Sequence, residues 1–289
     1  MGSAAVSAGA GALGAEAEAA VAIAQAAGAR LLDWQGRLGS GDVRSKSAAR
    51  DLVSAADLDS EGVVLAGLRE HFPLDGVCAE ESGGEHQDRA AVWFADPLDG
   101  TVNFVHGLPL YAVSLGRLRA GEPDLAVVHA PALGETYVAA RGRGAWSESG
   151  RLAVSATATL AEAVLATGFP YRRNWLLDDN LENFGRLFHR VRGMRRLGAA
   201  ALDLAWVAAG RLDAFWELHL QPFDVAAGGL LVREAGGEVG ALVPGGDWLH
   251  GGSFVAGPAP LVAAIRAVLL EGRPPDYPPL GERDTPRLG

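Results

Sequence analysis

Two aspartates stand three residues apart at the end of an apolar run, in the stretch WFADPLDGTVNF at residues 93–104. A proline follows Asp96, and glycine and threonine follow Asp99. A strand needs apolar neighbours and a turn needs glycine, but neither needs both acids. The proline keeps Asp96 out of helical backbone geometry and removes one amide donor, which leaves the Leu98 carbonyl free to turn inward. The pattern therefore predicts a turn that presents several oxygen ligands together.

Other acids follow neighbouring apolar runs. Glu80 and Glu81 come directly after GVCA, and Asp224 opens the segment DVAAGG. The residues TVNF, after Gly100, can begin a short helix, and the first amides of a helix bind phosphate. Carboxylates beside an anion site repel the anion unless metal ions lie between them. Because the candidate ligands are hard oxygens, without a thiolate cluster or a paired histidine, the pattern favours Mg²⁺.

Taken one at a time, these residues also have structural interpretations. Asp99 before a glycine is typical of a turn, and Glu80 with Glu81 is typical of a solvated strand end. Asp224 is a candidate N-cap for the helix that follows it. Cys78 is typical of a small buried apolar residue. The isolated patterns leave both interpretations open.

Composition argues against several classes of protein, among them nucleic-acid-binding, disulfide-stabilised and membrane proteins. The chain has 289 residues, 35 acidic against 25 basic side chains and a net charge of -10, a balance that disfavours nonspecific nucleic-acid binding. The single cysteine excludes an internal disulfide and favours a reducing cytoplasm. The opening residues lack the basic start and apolar centre of a signal peptide. No stretch approaches the roughly 20 apolar residues of a membrane span, so we expect no membrane association.

The hydrophobic pattern changes character along the chain. A helix is predicted from Glu16 to about Leu38, and a second ends at Pro73. Short apolar runs with brief separations then favour antiparallel strands: GVCAEE, AVWFAD, YAVSLGRL, DLAVVHAP and ETYVAA. After about Gly150, strands and helices alternate. We therefore expect a layered α/β sandwich with a flexible extension at 1–14, an α+β half at 15–150, an α/β half at 151–271 and a loose proline-rich tail at 272–289.

Several motifs together resemble the inositol monophosphatase family. DPLDGTVNF resembles the family hallmark D-P-[ILV]-D-G-T-x-N-F, and PFDVAAGGLLVREAGG resembles the second hallmark, W-D-x-A-A-G followed by E-A-G-G. KSAARDLVSAAD, AEES and GAAALDLAWVAAGRLDAFWEL are similar to further family segments, in the same order. The resemblance covers about residues 15 to 270. It implies a layered αβαβα sandwich of the sugar-phosphatase type, commonly as a homodimer.

The resemblance also implies a role for individual positions. Five positions match the family's ligands for two or three Mg²⁺ ions: Glu80, Asp96, the Leu98 carbonyl, Asp99 and Asp224. Two positions, Gly100 and Thr101, match the residues that bind the substrate phosphate. Asp57 and Thr101 match a pair that positions the attacking water with Glu80, and Lys46, Ala200 and Glu217 match residues near the mouth of the site and around the polyol.

Three positions depart from the family pattern. Phe223 stands in place of the usual tryptophan, Ala199 where Ser or Thr is common, and Val102 where Thr is common. None of these replaces an implied metal ligand, but lost hydroxyls can alter the hydrogen bonds that orient the ligands.

The implied activity is Mg²⁺-dependent, lithium-sensitive hydrolysis of a phosphate monoester, with inositol monophosphate favoured by RRLGAAALDL and Glu217. Fructose bisphosphate, histidinol phosphate and phosphoadenosine phosphate are the alternative substrates. A regulatory interaction protein that keeps the fold is the non-enzymatic alternative.

Overall fold

The structure is a computed structural model, and it describes residues 10–39, 41–46, 52–84 and 89–282. Part of the predicted flexible extension, residues 1–9, lies outside this range. From residue 10 the expectation of a loose segment is wrong, because residues 10–13 are helical and Leu13 is buried. The Arg143 guanidinium donates hydrogen bonds to the carbonyls of Ala12 and Leu13. These contacts hold the segment on the first sheet.

The N-terminal half is built around a seven-stranded sheet with strand order β3-β4-β5-β6-β7-β8-β9. A separate antiparallel pair, β1 and β2, precedes it. The strand bounds are β1 Val43–Ser45, β2 Leu52–Ser54, β3 Gly76–Ala79, β4 Ala91–Asp99, β5 Ala112–Arg119, β6 Glu122–Ala130, β7 Glu135–Ala140, β8 Gly144–Ser147 and β9 Gly150–Arg151.

The prediction of antiparallel strands holds from β4 onward but is wrong for β3, which pairs with β4 in parallel. The chain between them, residues 80–90, is long enough to return to the start of the sheet before β4 begins. Ala79 lies opposite Ala95 at the ends of the two strands. The parallel pairing therefore brings Glu80 and Asp96, the residues that follow each of these alanines, to the same edge.

The C-terminal half contains a five-stranded mixed sheet with order β11-β10-β12-β14-β13. Strands β11, β10 and β12 are parallel, and β14 is antiparallel to both of its neighbours. The bounds are β10 Val164–Thr167, β11 Gly193–Arg195, β12 Ala214–Leu218, β13 Glu238–Gly240 and β14 Ser253–Gly257.

Helices form the remaining three layers, and each sheet is buried on both faces. The helices are α1 Ala15–Trp34, α2 Ala55–His71, α3 Thr101–Val105, α4 Leu181–Phe188, α5 Ala200–Ala208, α6 Pro222–Glu234 and α7 Ala259–Leu270. Helices α1 and α2 cover one face of the first sheet. Helices α5 and α6 fill the space between the two sheets. Helices α4 and α7 cover the outer face of the second sheet. The predicted αβαβα sandwich is confirmed.

The proline-rich tail is packed as far as the structure describes it. Tyr277 is buried, and its hydroxyl donates to Asn183 on α4 at 2.7 Å. The amide of Leu177 donates to the carbonyl of Gly281 at 3.0 Å. The expectation of a loose tail is therefore wrong for residues 273–282, because proline-rich sequence limits secondary structure but does not prevent side-chain packing. Within the described part of the chain, no helix has the length and apolar character of a membrane span.

The contact between α6 and the first sheet depends on the absence of a side chain at Gly116. A Cβ atom there would lie 2.7 Å from the Ala226 Cβ and 2.7 Å from the Ala227 amide nitrogen. We expect Gly116→Ala to reduce the free energy of unfolding by about 1–3 kcal/mol, the usual cost of overpacking. Urea denaturation of the variant and the unchanged protein measures this difference in the free energy of unfolding.

Gly185 is the matched control, because it is exposed on α4 and its Cβ would meet no atom within 4 Å. Gly185→Ala should stabilise the protein by about 0.5–1 kcal/mol. Equal unfolding midpoints for the two variants would show that α6 does not require close approach at Gly116.

Candidate active site

A bulge at the end of β4 aims both aspartates of DPLD toward one place. Asp96 lies opposite Ser114 and Asp99 opposite Ala112, so β4 has one residue more than β5 across this interval. A bulge bends a strand and changes the direction of its side chains. The Ser60 hydroxyl donates to the Pro97 carbonyl at 2.9 Å, which anchors the bulge to α2. Side chains three apart on a regular strand would point to opposite faces; the extra residue removes that restriction.

Asp57 and Thr101 meet beside this bulge. Asp57 is the third residue of α2 and forms a capping box with Ser54, which fixes its carboxylate. The Thr101 hydroxyl oxygen lies 2.9 Å from Asp57 Oδ1 and 3.1 Å from the Leu98 carbonyl oxygen. Because the hydroxyl has one proton, it donates to one of these oxygens and keeps its lone pairs for another donor.

Gly100 makes the turn between β4 and α3 possible. Its φ of 95° is in the left-handed region, and a Cβ there would lie 2.9 Å from the Leu110 carbonyl oxygen. Both observations require glycine at this position. Helix α3 begins at the next residue, Thr101, so its first amides lie at the same turn as the two aspartates.

Asp99 joins the two halves of the molecule. Its Oδ1 accepts a hydrogen bond from the Ala200 amide at 3.1 Å, and its Oδ2 accepts from the Ala201 amide at 2.7 Å. These amides begin α5, whose own N-cap residue, Ala199, provides no side-chain hydrogen bond. A carboxylate from the first half therefore caps a helix of the second half, where the amides and the helix dipole favour negative charge.

Asp224 is held at the beginning of α6. It is the third residue of that helix, not its N-cap as one of the two sequence interpretations proposed; the N-cap is Gln221. Its Oδ2 accepts a hydrogen bond from the Gln221 amide at 2.6 Å. The neighbouring Phe223, which replaces the family's tryptophan, has its carbonyl 3.3 Å from the Ser114 hydroxyl on β5. This contact links the start of α6 to the first sheet.

Glu80 and Glu81 follow β3, and their carboxylates share one cation, Lys46. The Lys46 ammonium lies 2.9 Å from Glu80 Oε1 and also contacts Glu81. The Glu81 amide donates to Glu61 on α2 at 3.0 Å. Burial raises the pKa of Glu81 to about 7, which the Lys46 contact opposes. The interpretation of the pair as a solvated strand end does not fit Glu81.

Burial and mutual repulsion make this carboxylate cluster unfavourable without a positive charge. Burial raises the pKa of Asp96, and the charges of Glu80, Asp99 and Asp224 raise it further. Burial also raises the pKa of Asp224, and that of Asp99 to about 7 despite the α5 amides. Such a cluster must bind protons or cations at neutral pH.

The donor set fits a hard cation. Its members are carboxylate oxygens with the Leu98 carbonyl nearby, the ligands that Mg²⁺ prefers. Among the described residues, no group of three or more His, Cys, Asp or Glu side chains is arranged as a complete metal-binding group. Asp96, Asp99 and Asp224 each accept hydrogen bonds from backbone amides. Carboxylate oxygens carry further lone pairs, so these hydrogen bonds do not exclude a metal.

A cleft of about 530 Å³ opens beside the carboxylates, between the two halves. Lys46, Glu80 and Asp99 line it from the first half, and the second half provides most of the remaining wall. Glu217 lies on β12, and burial raises its pKa to about 8, against the opposing charge of Arg196. A Cβ on Gly168 would lie 2.1 Å from Glu217 Oε2, so only glycine leaves room for that carboxylate.

The structure brings most of the predicted site residues into this region. Those that line the cleft are Lys46, Glu80, Asp99, Ala200, Glu217 and Asp224. The others do not line it and lie at the adjoining turn after β4, joined by hydrogen bonds of Asp57 and Leu98 with Thr101 and of Asp96 with Leu98, with Gly100 between Asp99 and Thr101. Sequence reasoning missed Gly168, Arg196 and Asp203. Asp203 lies three residues after Ala200, so helical spacing predicts that both face the cleft. No comparable pattern identified Arg196 or the loop at 169–172.

The layered sandwich with buried carboxylates at the meeting of its halves places this chain among layered α/β proteins with an acidic cleft. A model of the inositol monophosphatase family matches residues 15–270. This chain belongs to the inositol monophosphatase family.

Named relatives and solved structures agree with that assignment. The chain is 44% identical over 208 residues to inositol-1-monophosphatase of Mesorhizobium japonicum, covering 72% of this chain and 78% of the relative. It is 42% identical over 234 residues to Nus factor SuhB of Pseudomonas aeruginosa, covering 78% and 86%. The structure of inositol monophosphatase from Anabaena is similar at a TM-score of 0.80 and 38% identity, covering 89% of this chain and 96% of that one.

Asp203 is an unfavourable buried acid. It is 2% exposed, and its Oδ1 has no hydrogen-bond partner. Burial and the charges of Asp99 and Glu217 raise its pKa well above the ordinary value. The folded protein thus holds this proton more tightly than the unfolded chain. The free energy of unfolding therefore falls as pH rises from the pKa of Asp203 in the unfolded chain toward its pKa in the folded protein. Above both pKa values the full cost of the buried charge is present.

We expect Asp203→Asn to raise the free energy of unfolding at pH 8 by about 1–3 kcal/mol, the range for a buried polar group without a partner. Near pH 4 the gain should be much smaller, because the acid is protonated there. Denaturant unfolding at the two pH values measures the difference. A variant that is less stable than the unchanged protein at pH 8 would contradict the conclusion that the buried Asp203 carboxylate is unfavourable.

Proposed function

We propose that the protein hydrolyses a phosphate monoester with the help of Mg²⁺, and that inositol monophosphate is its best substrate. The observation that carries the proposal is the group of buried carboxylates, Asp96, Asp99 and Asp224 with Glu80, beside a cleft that contains Glu217. A buried like-charge cluster costs stability, and cation binding offsets that cost.

Four carboxylates and the Leu98 carbonyl would hold the metal ions. Bound there, Mg²⁺ would neutralise phosphate charge and lower the pKa of a water molecule. The protein's own contribution is position and charge, as is general in phosphoryl transfer. Lys46 holds Glu80 in place through an ion pair.

The chain itself would orient the phosphate and the water. The first amides of α3, at Gly100 and Thr101, would donate hydrogen bonds to phosphate oxygens. The Thr101 hydroxyl, when it donates to Asp57 at 2.9 Å, directs its lone pairs elsewhere and would accept a hydrogen bond from the attacking water, which would position that water. Glu80 would act with Thr101 on the same water.

The choice of a polyol substrate rests on the second half of the cleft. The Glu217 carboxylate would accept hydrogen bonds from vicinal hydroxyls, and Ala200 faces the same space on α5. One solved relative, SaIMPase-II, is described with bound inositol monophosphate and, in another structure, with 2'AMP. Fructose bisphosphate, histidinol phosphate and phosphoadenosine phosphate remain the alternatives in this proposal.

An interaction role is the competing proposal, because several similar proteins are named Nus factor SuhB. Every implied metal ligand is present in this chain, and binding a protein partner does not require a buried carboxylate cluster. The resemblance also implies a homodimer and inhibition by Li⁺, which we include in the proposal.

The first experiment is phosphate release from inositol 1-phosphate, the three alternative substrates and a generic aryl phosphate. We expect release with Mg²⁺, strongest for inositol 1-phosphate, and loss of activity with chelator, because without the cation the carboxylates repel the substrate phosphate. Ca²⁺ should not replace Mg²⁺, since its larger radius and looser geometry misplace the water, and millimolar Li⁺ should inhibit. Phosphate release equal with and without chelator would exclude the metal mechanism; no release from any substrate would favour the interaction role.

A second experiment tests Asp99 itself. Asp99→Asn should lower turnover by more than about 100-fold, because even residues that only orient metal ligands contribute about 10–100-fold. The fold should persist, since removing one charge relieves repulsion and an amide oxygen still accepts a hydrogen bond from α5. Turnover and thermal unfolding are measured together.

Asp247→Asn is the matched control. Asp247 also accepts two backbone hydrogen bonds, from Leu249 at 2.9 Å and His250 at 3.0 Å, but it does not line the cleft. Its turnover should stay within about twofold of the unchanged protein, as for a surface substitution away from the site. Near-normal turnover in Asp99→Asn would assign Asp99 to the turn and the α5 cap alone.

A further inference from the structure

The segment after the last helix continues past the end of the family match and reaches the cleft. The match ends at residue 270, whereas Leu280 and Glu282 are part of the cleft wall. We call residues 273–282 the C-terminal strap. Its two ends make different contacts, and together they determine where this part of the wall lies.

The near end of the strap is anchored on α4. Tyr277 is 4% exposed, and its hydroxyl donates to Asn183 Oδ1 at 2.7 Å. Arg273 donates to the same oxygen at 3.0 Å and forms an ion pair with Glu182 at 2.8 Å. Its guanidinium also lies 4.4 Å from the centre of the Tyr277 ring. A buried aromatic anchor with a satisfied hydroxyl is a stable attachment.

The far end of the strap holds the loop at residues 169–177, which we call the cleft loop. The Gly281 carbonyl accepts the Leu177 amide at 3.0 Å, and Glu282 forms a backbone bridge with Leu176. The Glu282 carboxylate lies 2.7 Å from the Arg172 guanidinium. The cleft loop itself lines the cleft with Phe169, Pro170, Tyr171, Arg172 and Leu176.

We propose that the C-terminal strap is a specificity-determining element that fixes the cleft loop as the wall around the leaving group of the substrate. The proposal rests on the proposed function, because it assumes that the cleft binds a phosphate monoester. The carboxylates that would hold the metal are on the first half and on α6, and none of them contacts the strap in the interactions above. The strap therefore acts on substrate binding and selection, not on the hydrolytic step.

A fixed loop binds its ligand more tightly than a loose one, because ordering the loop no longer costs free energy when the ligand binds. A strap outside the family-matched region also gives this chain a leaving-group wall that the family hallmarks do not determine. A polyol that fills the fixed cleft gains binding free energy from its contacts with this wall. A larger leaving group that displaces the loop gains less binding free energy.

The test is a charge exchange across the contact between strap and loop, in the full-length chain. Arg172→Glu and Glu282→Arg each place like charges together, and the double variant restores an ion pair. We expect each single variant to raise KM for inositol 1-phosphate by about threefold to fivefold, the upper part of the range for one exposed ion pair, with kcat changed by less than about twofold. The double variant should return KM to within about twofold of the original value.

Specificity provides a second readout. The ratio of kcat/KM for inositol 1-phosphate to that for adenosine 2'-phosphate should fall by about threefold in each single variant and recover in the double variant. Glu122→Arg is the matched control, because Glu122 forms a similarly exposed ion pair with Arg233, away from the cleft. It should change neither KM nor the ratio.

Hydrogen exchange separates failure of the strap from failure of the proposed function. The Leu177 amide should exchange about threefold to fivefold faster in each single variant and at the original rate in the double variant, since exchange follows local opening. If no protein releases phosphate, the proposed function fails, and the exchange rates still decide whether the strap holds the loop. Unchanged exchange and KM in the single variants would overturn the proposal. A double variant as impaired as Arg172→Glu alone would also overturn it, because Arg172 would then contact the substrate directly.

Discussion

The gathering of like charges at a buried position is the constraint on which the rest of this structure depends. Asp96, Asp99 and Asp224 are held where burial and their neighbours raise the pKa of each carboxyl. Burying like charges together does not stabilise the folded state, so the surrounding elements must hold the cluster in place. They do so through a strand bulge, a left-handed glycine and the beginnings of helices.

Helix beginnings recur because their free amides are the least costly partners for buried carboxylates. Asp57 and Asp224 each take part in the capping box of their own helix. Asp99 instead caps α5, a helix of the other half, at a position where Ala199 provides no side-chain oxygen. The departure from the family's Ser or Thr at 199 thus leaves Asp99 as the only side chain described here that binds the first α5 amides. One residue serves both as a candidate metal ligand and as the joint between the halves.

Both halves contribute charged groups to the cleft. Lys46, Glu80 and Asp99 line it from the first half, and Asp224 on α6 lines it from the second. The second half also contributes Glu217, with the glycine that makes room for it, and the cleft loop. Most of the cleft wall beyond the carboxylate cluster therefore comes from the second half.

Much of this protein is determined by local sequence. The strands GVCA and AVWFAD, the helix ending before Pro73 and the alternation after residue 150 follow from hydrophobic period and breakers, which act over a few residues. The hallmark segments likewise identified Asp96, Asp99 and Asp224 as candidates, because their spacing beside glycine and proline is itself a local property. The resemblance to the family rests on the same segments, and the αβαβα layering was predicted through that resemblance.

Other features were decided only by tertiary structure. The parallel pairing of β3 with β4 depends on a chain return that no local pattern encodes, and it is what brings Glu80 beside Asp96. The cap on α5 joins residues about a hundred positions apart. Arg196 and the cleft loop have no distinctive spacing, and the strap is packed despite a proline-rich composition, since Tyr277 finds Asn183 across 94 positions. Contacts between distant segments depend on how the layers stack, and sequence patterns of short period carry no information about that stacking.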